Sequence, residues 1–115
     1  MANGVYNINY AGIQGFGSAC VVFLNSEIFG TDVAASEYGG TYIIENGQVI
    51  GQVLLTVPAG VALVTGAPIS STPYTIQIPF FMPAQIDEKQ VVQISVQLPS
   101  GTVNANIKKM KALPA

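Results

Sequence analysis

The chain has 115 residues, of which 50% are hydrophobic and only 9% are charged, and it contains no His, Arg or Trp. Without imidazole or guanidinium groups, the composition excludes Ser-His and Cys-His nucleophile pairs, His-ligated metal sites and bidentate phosphate binding. A net charge of −2 with four lysines also excludes the basic surface that direct nucleic-acid binding requires. The length fits one domain, which we expect to span residues 1–115.

Alternating apolar and polar residues predict strands in the first half of the chain. Glycines at positions 12, 15 and 17 separate the first two of them. Asn46-Gly47 predicts a type I′ hairpin turn, because both central residues of such a turn need positive φ. Residues 32–37 are expected to form at most one short turn of helix. The strands predicted in this half are 5–10, 18–24, 38–44 and 48–57.

The second half continues the same rhythm, with a short turn at Pro99-Ser100-Gly101. Pro79 lacks a backbone donor, so its strand must lie at a sheet edge, at a bulge or at a strand end. The strands predicted in this half are 61–65, 75–80, 92–98 and 102–108. About eight strands with short links predict an all-β fold, a small antiparallel up-and-down β-barrel. Closure is favoured because a sheet with so few charges would otherwise expose adhesive edges.

The stretch Val49–Ser70 is largely apolar and has about the length of a membrane-spanning helix. Its Gly and Pro residues, among them Pro58 and Pro68, interrupt a helix and are typical of turns between strands. No membrane span is therefore expected. The N-terminus has neither the basic start nor the apolar stretch of a secretory signal, which favours the cytoplasm. Cys20 has no partner for an internal disulfide and no cationic neighbour in sequence, so a buried, inert thiol is expected.

The candidate reactive groups are few. The segment Gly12–Gly17 is glycine-rich but is followed by a strand rather than a helix, so it predicts a turn and not a phosphate loop. Asp32, Glu37 and Glu45 leave a carboxylate acid/base pair conceivable, but nothing in the pattern indicates the buried, shifted pKa that such a pair needs. No catalytic residue, metal or cofactor is therefore predicted, and an enzyme ranks last. The segment Lys108–Lys111 is expected to be a charged, fraying terminus.

The aromatic residues leave two uses of the barrel interior open. An eight-stranded barrel either packs shut or holds one small ligand. A packed interior is favoured, but the alternative is a carrier of a small apolar ligand. The expected lumen-lining residues are Tyr6, Tyr38, Tyr42, Tyr74 and Phe80. The weak net charge also favours self-association, most simply as a homodimer.

One series of motifs in the first 57 residues resembles the GrlR-like family, named for a bacterial negative regulator of type III secretion. The motifs are Gly4-Val5-Tyr6, Gly15-Phe16-Gly17, Gly30-Thr31-Asp32, Tyr38-Gly39-Gly40 and the Asn46-Gly47 turn. The resemblance implies a lipocalin-like barrel of eight strands that forms a homodimer.

The resemblance also implies a function. The family's namesake is not an enzyme; it silences a transcriptional activator by binding it through an acidic surface loop. That loop corresponds to Glu45, Asn46, Gly47 and Gln48 here, of which only Glu45 is charged. The expected function is therefore that of a regulatory or adaptor protein that binds a protein partner, such as a transcriptional regulator, through a dimeric barrel.

Overall fold

The computed structural model describes residues 2–114 as eight antiparallel strands. They are β1 (Gly4–Gly12), β2 (Gly15–Leu24), β3 (Glu27–Asp32), β4 (Glu37–Glu45), β5 (Gln48–Val57), β6 (Tyr74–Pro83), β7 (Val91–Leu98) and β8 (Gly101–Ala112). Their order in the sheet is β6-β5-β4-β3-β2-β1-β8-β7. Because β6 and β7, at the two ends of this order, contact each other, the sheet curls into a nearly closed up-and-down barrel. The predicted all-β barrel is confirmed, and Pro79 lies in β6 at an end of the sheet, as expected.

The hairpin turns include the one that was expected and one that precedes β3, a strand that was not predicted. Asn46 (φ 52°) and Gly47 (φ 76°) confirm the predicted turn between β4 and β5. The turn between β2 and β3 also has two positive φ values, at Asn25 (51°) and Ser26 (71°), although it contains no glycine. The strand that follows places Gly30 and Asp32 on its inner face, so it lacks the apolar alternation by which strands were recognised. Residues 33–36 form a tight turn and not a helical one.

The predicted strand 61–65 is wrong. Residues 58–73 form an irregular segment between β5 and β6, which we call the end loop. Its Val61, Leu63 and Val64 pack against the hydrophobic core at one end of the barrel. The backbone N–H of Gln14 donates to the carbonyl of Val64 at 2.7 Å. The apolar residues of the end loop therefore cover a barrel end, and they do not alternate between the two faces of a sheet.

Aromatic side chains close the opposite end of the barrel. Phe23 packs on Tyr6, Tyr42 and Phe80 with ring-centroid distances of 5.0, 5.2 and 6.0 Å. We call these four residues the aromatic cluster. The Tyr6 hydroxyl donates to the carbonyl of Ala2 at 2.7 Å, which satisfies a group that is otherwise buried. This half of the interior is packed shut.

Two local expectations are wrong because of strand parity and strand length. Cys20 is exposed, since the inner face of β2 is formed by its neighbours Ala19 and Val21. The segment Lys108–Lys111 belongs to β8 and is not a frayed end. The side chain of Lys109 is only 7% exposed, with its ammonium 6.0 Å from the centroid of the Tyr6 ring. In residues 2–114 there is no helix long and apolar enough to cross a membrane.

Candidate ligand-binding site

A cavity of about 150 Å³ lies inside the barrel, between the aromatic cluster and the end loop. Its wall is almost entirely aliphatic and aromatic. An apolar cavity of about this volume in another protein holds a benzene molecule. The lumen therefore has room for a single ring or a short alkyl chain. The polar side chains in its wall are Tyr10, Asp32, Ser36 and Tyr38.

Asp32 is the centre of a hydrogen-bonded group with Tyr10 and Tyr38, which we call the Asp32 cluster. Its Oδ2 accepts hydrogen bonds from the hydroxyls of Tyr10 at 3.1 Å and Tyr38 at 2.9 Å. Its Oδ1 accepts from the backbone N–H groups of Ala34 at 2.9 Å and Ser36 at 3.0 Å. The four acceptor positions of the carboxylate are thus all occupied by protein donors.

Two features of the sequence position the Asp32 cluster. Asp32 is the last residue of β3, so the turn that follows directs its N–H groups back to the carboxylate. Gly17 lies opposite Tyr10 in the pairing of β1 with β2. A Cβ atom at Gly17 would come within 2.5 Å of Cζ of Tyr10, so only glycine lets this ring lie across β2 and reach Asp32. Gly17, the second glycine of the Gly-x-Gly motif, therefore makes space for a ring.

The two hydroxyls of the cluster remain protonated at neutral pH. Burial, followed by the negative charge of Asp32, raises the pKa of Tyr10 from its ordinary value of 10 to about 12. Burial, followed by the proximity of Tyr10 and Asp32, raises the pKa of Tyr38 well above its ordinary range. Both phenols are therefore hydrogen-bond donors to the carboxylate over the physiological pH range.

Small side chains leave the space in front of the Asp32 cluster. Ala19 is the partner of Asp32 across β2 and β3, and Ala105 is the partner of Tyr10 across β8 and β1. Both alanines are buried and line the cavity. A larger residue at either position would project into the lumen beside the cluster. The cavity and its polar group thus form one site.

The expected lumen-lining residues occupy three different places. Tyr38 and Phe80 line the cavity. Tyr6 and Tyr42 are buried in the aromatic cluster, and Tyr74 packs beneath the end loop.

The aromatic content makes Tyr10 a candidate for the lumen, but the expected lining set includes neither Tyr10 nor Asp32. The signal for Tyr10 was available, because it has the same strand parity as Tyr6, whose side chain points inward. No comparable signal marks Asp32, since a carboxylate at an inward position contradicts the apolar pattern.

The three carboxylates considered as an acid/base pair are not brought together. Asp32 faces the lumen, whereas Glu37 and Glu45 are exposed at the two ends of β4. Eight residue-to-residue steps along an extended strand place these two glutamates about 26 Å apart. Among residues 2–114, no three His, Cys, Asp or Glu side chains come together as a set of metal ligands.

The expected partner-binding loop is accessible. Glu45, Asn46, Gly47 and Gln48 are all exposed at the tip of the β4–β5 hairpin. The carbonyl of Gly47 accepts a hydrogen bond from the N–H of Ala84 at 2.9 Å, which attaches the tip to the segment after β6. The loop is therefore a tethered surface feature.

An apolar row crosses the outer face of the barrel beside this loop. Ile43, Ile50 and Phe81 are partners in the pairing of β4, β5 and β6. Ile43 and Phe81 are 58% and 61% exposed. We call these three residues the outer row. Large apolar side chains in contiguous exposed positions are typical of contact surfaces.

Comparison with known proteins adds no relative to this description. No family model matches the chain, and no curated protein sequence matches it.

Proposed function

We propose that this protein is a non-enzymatic binding protein whose barrel lumen holds one small apolar molecule. The observation that carries the proposal is the apolar cavity of about 150 Å³ whose polar side chains, the Asp32 cluster and Ser36, lie together at one side. Ligand pockets in proteins commonly combine apolar walls with a few polar groups that orient the ligand. The carrier alternative drawn from the aromatic content is thus the function that the geometry supports best.

The physical basis of binding is the burial of apolar surface. Each square ångström of apolar ligand surface removed from water contributes about 25 cal/mol. The lining side chains also gain dispersion contacts that an empty cavity lacks. Because the walls are preformed by the paired strands, little conformational entropy is lost when a rigid ring enters.

The test is binding of toluene, followed by ligand-observed NMR, to the unaltered chain and to two variants. Ala105→Leu places a larger side chain in the lumen and should abolish binding. Ala11→Leu is the matched control, because Ala11 is exposed on the outer face of β1 and should leave binding unchanged. Absence of toluene binding to the unaltered chain, or equal binding by the Ala105→Leu protein, would contradict the proposal.

A second candidate function is that of a regulatory or adaptor protein that binds other proteins through a dimeric barrel. The observation that favours it is the outer row, which we propose as the contact with a second copy of the chain. The same-face neighbours on one side of the row, Thr41, Gln52 and Pro79, are uncharged. On its other side Glu45 is the one charged residue, beside Gln48 and Pro83. The Glu45–Gln48 loop would then contact a partner such as a transcriptional regulator in the cytoplasm, as the family resemblance implies.

Sedimentation equilibrium tests the dimer. Phe81→Asp introduces a charge into the outer row and should convert a dimer to a monomer. Phe16→Asp is the matched control, since Phe16 is 88% exposed at the distant β1–β2 hairpin and should leave the dimer intact. An unaltered chain that sediments as a monomer at micromolar concentration would refute this candidate and leave ligand binding untouched.

A further inference from the structure

The Asp32 cluster presents hydrogen-bond acceptors, and no donors, to the lumen. Each of the two tyrosine hydroxyls has one proton, and both protons are donated to Oδ2 of Asp32. Neither phenol therefore has a proton left for a ligand, whereas each phenol oxygen keeps lone pairs. The carboxylate itself is saturated by four donors, so the tyrosine oxygens are the groups that a ligand would meet.

The electrostatic character of the lumen is negative. Of the residues 2–114 that line the cavity, Asp32 alone carries a formal charge at neutral pH. The cation nearest to the interior, Lys109, lies beside Tyr6 in the aromatic cluster and does not line the cavity. Because the cavity beside Asp32 is apolar, the charge of this carboxylate acts on a ligand there more strongly than it would in water.

The free space of the lumen is adjacent to these acceptors. Ala19 and Ala105 are the strand partners of Asp32 and Tyr10, and each ends at its β-carbon. A ring that fills the apolar part of the cavity can therefore direct one substituent towards the phenol oxygens of Tyr10 and Tyr38. Because the Asp32 cluster offers only hydrogen-bond acceptors, that substituent has to be a hydrogen-bond donor.

We propose that the lumen selects apolar molecules that carry one hydrogen-bond donor, above all a protonated amine, and that it rejects carboxylates. The proposal rests on the proposed function, because it specifies the ligand class of the same cavity. An ammonium or hydroxyl group would donate to the phenol oxygens, and the ammonium would also be attracted by the charge of Asp32. A carboxylate would be repelled by the same charge, and Ser36, the remaining polar side chain of the described wall, offers it a single hydroxyl.

Four compounds of similar shape test the selection: toluene, benzyl alcohol, benzylamine and benzoate. Their affinities for the full chain would be measured at pH 7 by ligand-observed NMR. We expect benzylamine to bind about tenfold more tightly than toluene, benzyl alcohol to fall between them, and benzoate not to bind. Asp32→Asn removes the charge and should abolish the advantage of benzylamine over benzyl alcohol. Asp87→Asn, at an exposed carboxylate in the loop after β6, is the matched control and should preserve it.

The outcomes separate this proposal from the one on which it rests. If toluene binds as tightly as benzylamine, or if benzoate binds equally well, the selection is refuted while the lumen remains a ligand site. If none of the four compounds binds, both proposals fail. If Asp32→Asn unfolds the protein, the comparison of the four compounds on the unaltered chain still decides.

Discussion

Gly40 and its neighbour Gly39 in β4 provide a matched pair of substitutions with opposite expected effects. A Cβ atom at Gly40 would collide with the carbonyl oxygen of Gln52 and lie 3.0 Å from Cα of Val53, both in the backbone of β5. A Cβ atom at Gly39 would have no other atom within 4 Å. Gly40→Ala therefore forces β4 and β5 apart. Gly39→Ala meets no such obstacle and only reduces the number of conformations open to the unfolded chain.

The expected magnitudes follow from these contacts. Overpacking of this kind costs about 1–3 kcal/mol, and a distorted ladder hydrogen bond adds about 1 kcal/mol. We therefore expect Gly40→Ala to lower the free energy of unfolding by about 3 kcal/mol, which corresponds to a fall in Tm of about 12 °C for a domain of this size. Gly39→Ala should raise the free energy of unfolding by about 0.5 kcal/mol, because alanine loses less backbone entropy than glycine on folding.

Urea unfolding followed by circular dichroism measures both values. The comparison is internally controlled, since the two substitutions add the same methyl group at adjacent positions of one strand. Equal stability of the two variants would mean that β4 and β5 are not paired in the register Gly40 to Val53. The conclusion that β5 lies too close to Gly40 for a Cβ atom would then be wrong.

Three further predictions concern single side chains. The Cys20 thiol is exposed, so it should react with a disulfide reagent in the folded protein as fast as in urea; strong protection would contradict its outward position. Burial raises the pKa of Tyr6 and of Tyr10 from 10 to about 12, so the folded chain keeps protons that the unfolded chain releases. Stability should therefore be complete below pH 10 and fall between pH 10 and 12, as urea titrations at these pH values would show. Asp32→Ala leaves four hydrogen-bond donors without their acceptor and should lower the free energy of unfolding in urea by about 3 kcal/mol. Asp87→Ala, at an exposed carboxylate, should lower it by less than about 0.5 kcal/mol.

The fold was predictable because most strands bury one face and expose the other. The alternation in Val91–Leu98 and the Asn46-Gly47 turn each determine local structure without help from distant residues. Strand predictions were wrong where the inner face of a strand is not apolar, or where apolar residues cover the barrel end and do not form a strand. Glu27–Asp32 was missed because Gly30 and Asp32 face inward, and residues 61–65 were misread because they cover the barrel end.

The candidate site was less predictable than the fold. Tyr38 was placed in the lumen from its aromatic character, but a hydrogen bond to Asp32 depends on how β3 and β4 are registered. The same holds for Gly17, whose role is to accommodate a ring that is seven residues away in sequence and adjacent in space. Sequence spacing identifies such residues as a pattern, and only the paired strands show what the pattern assembles.

The seam between β6 and β7 has a kinetic consequence for anything that enters the barrel. In residues 2–114, seven neighbouring strand pairs are joined by backbone ladders, and β6 meets β7 through contacts without such a ladder. Separating β6 from β7 breaks no interstrand backbone hydrogen bonds. It therefore requires less free energy than separating any other neighbouring pair of strands. The molecule proposed for the lumen is therefore expected to exchange through this seam, and amide hydrogen exchange among the strands should be fastest along these two margins.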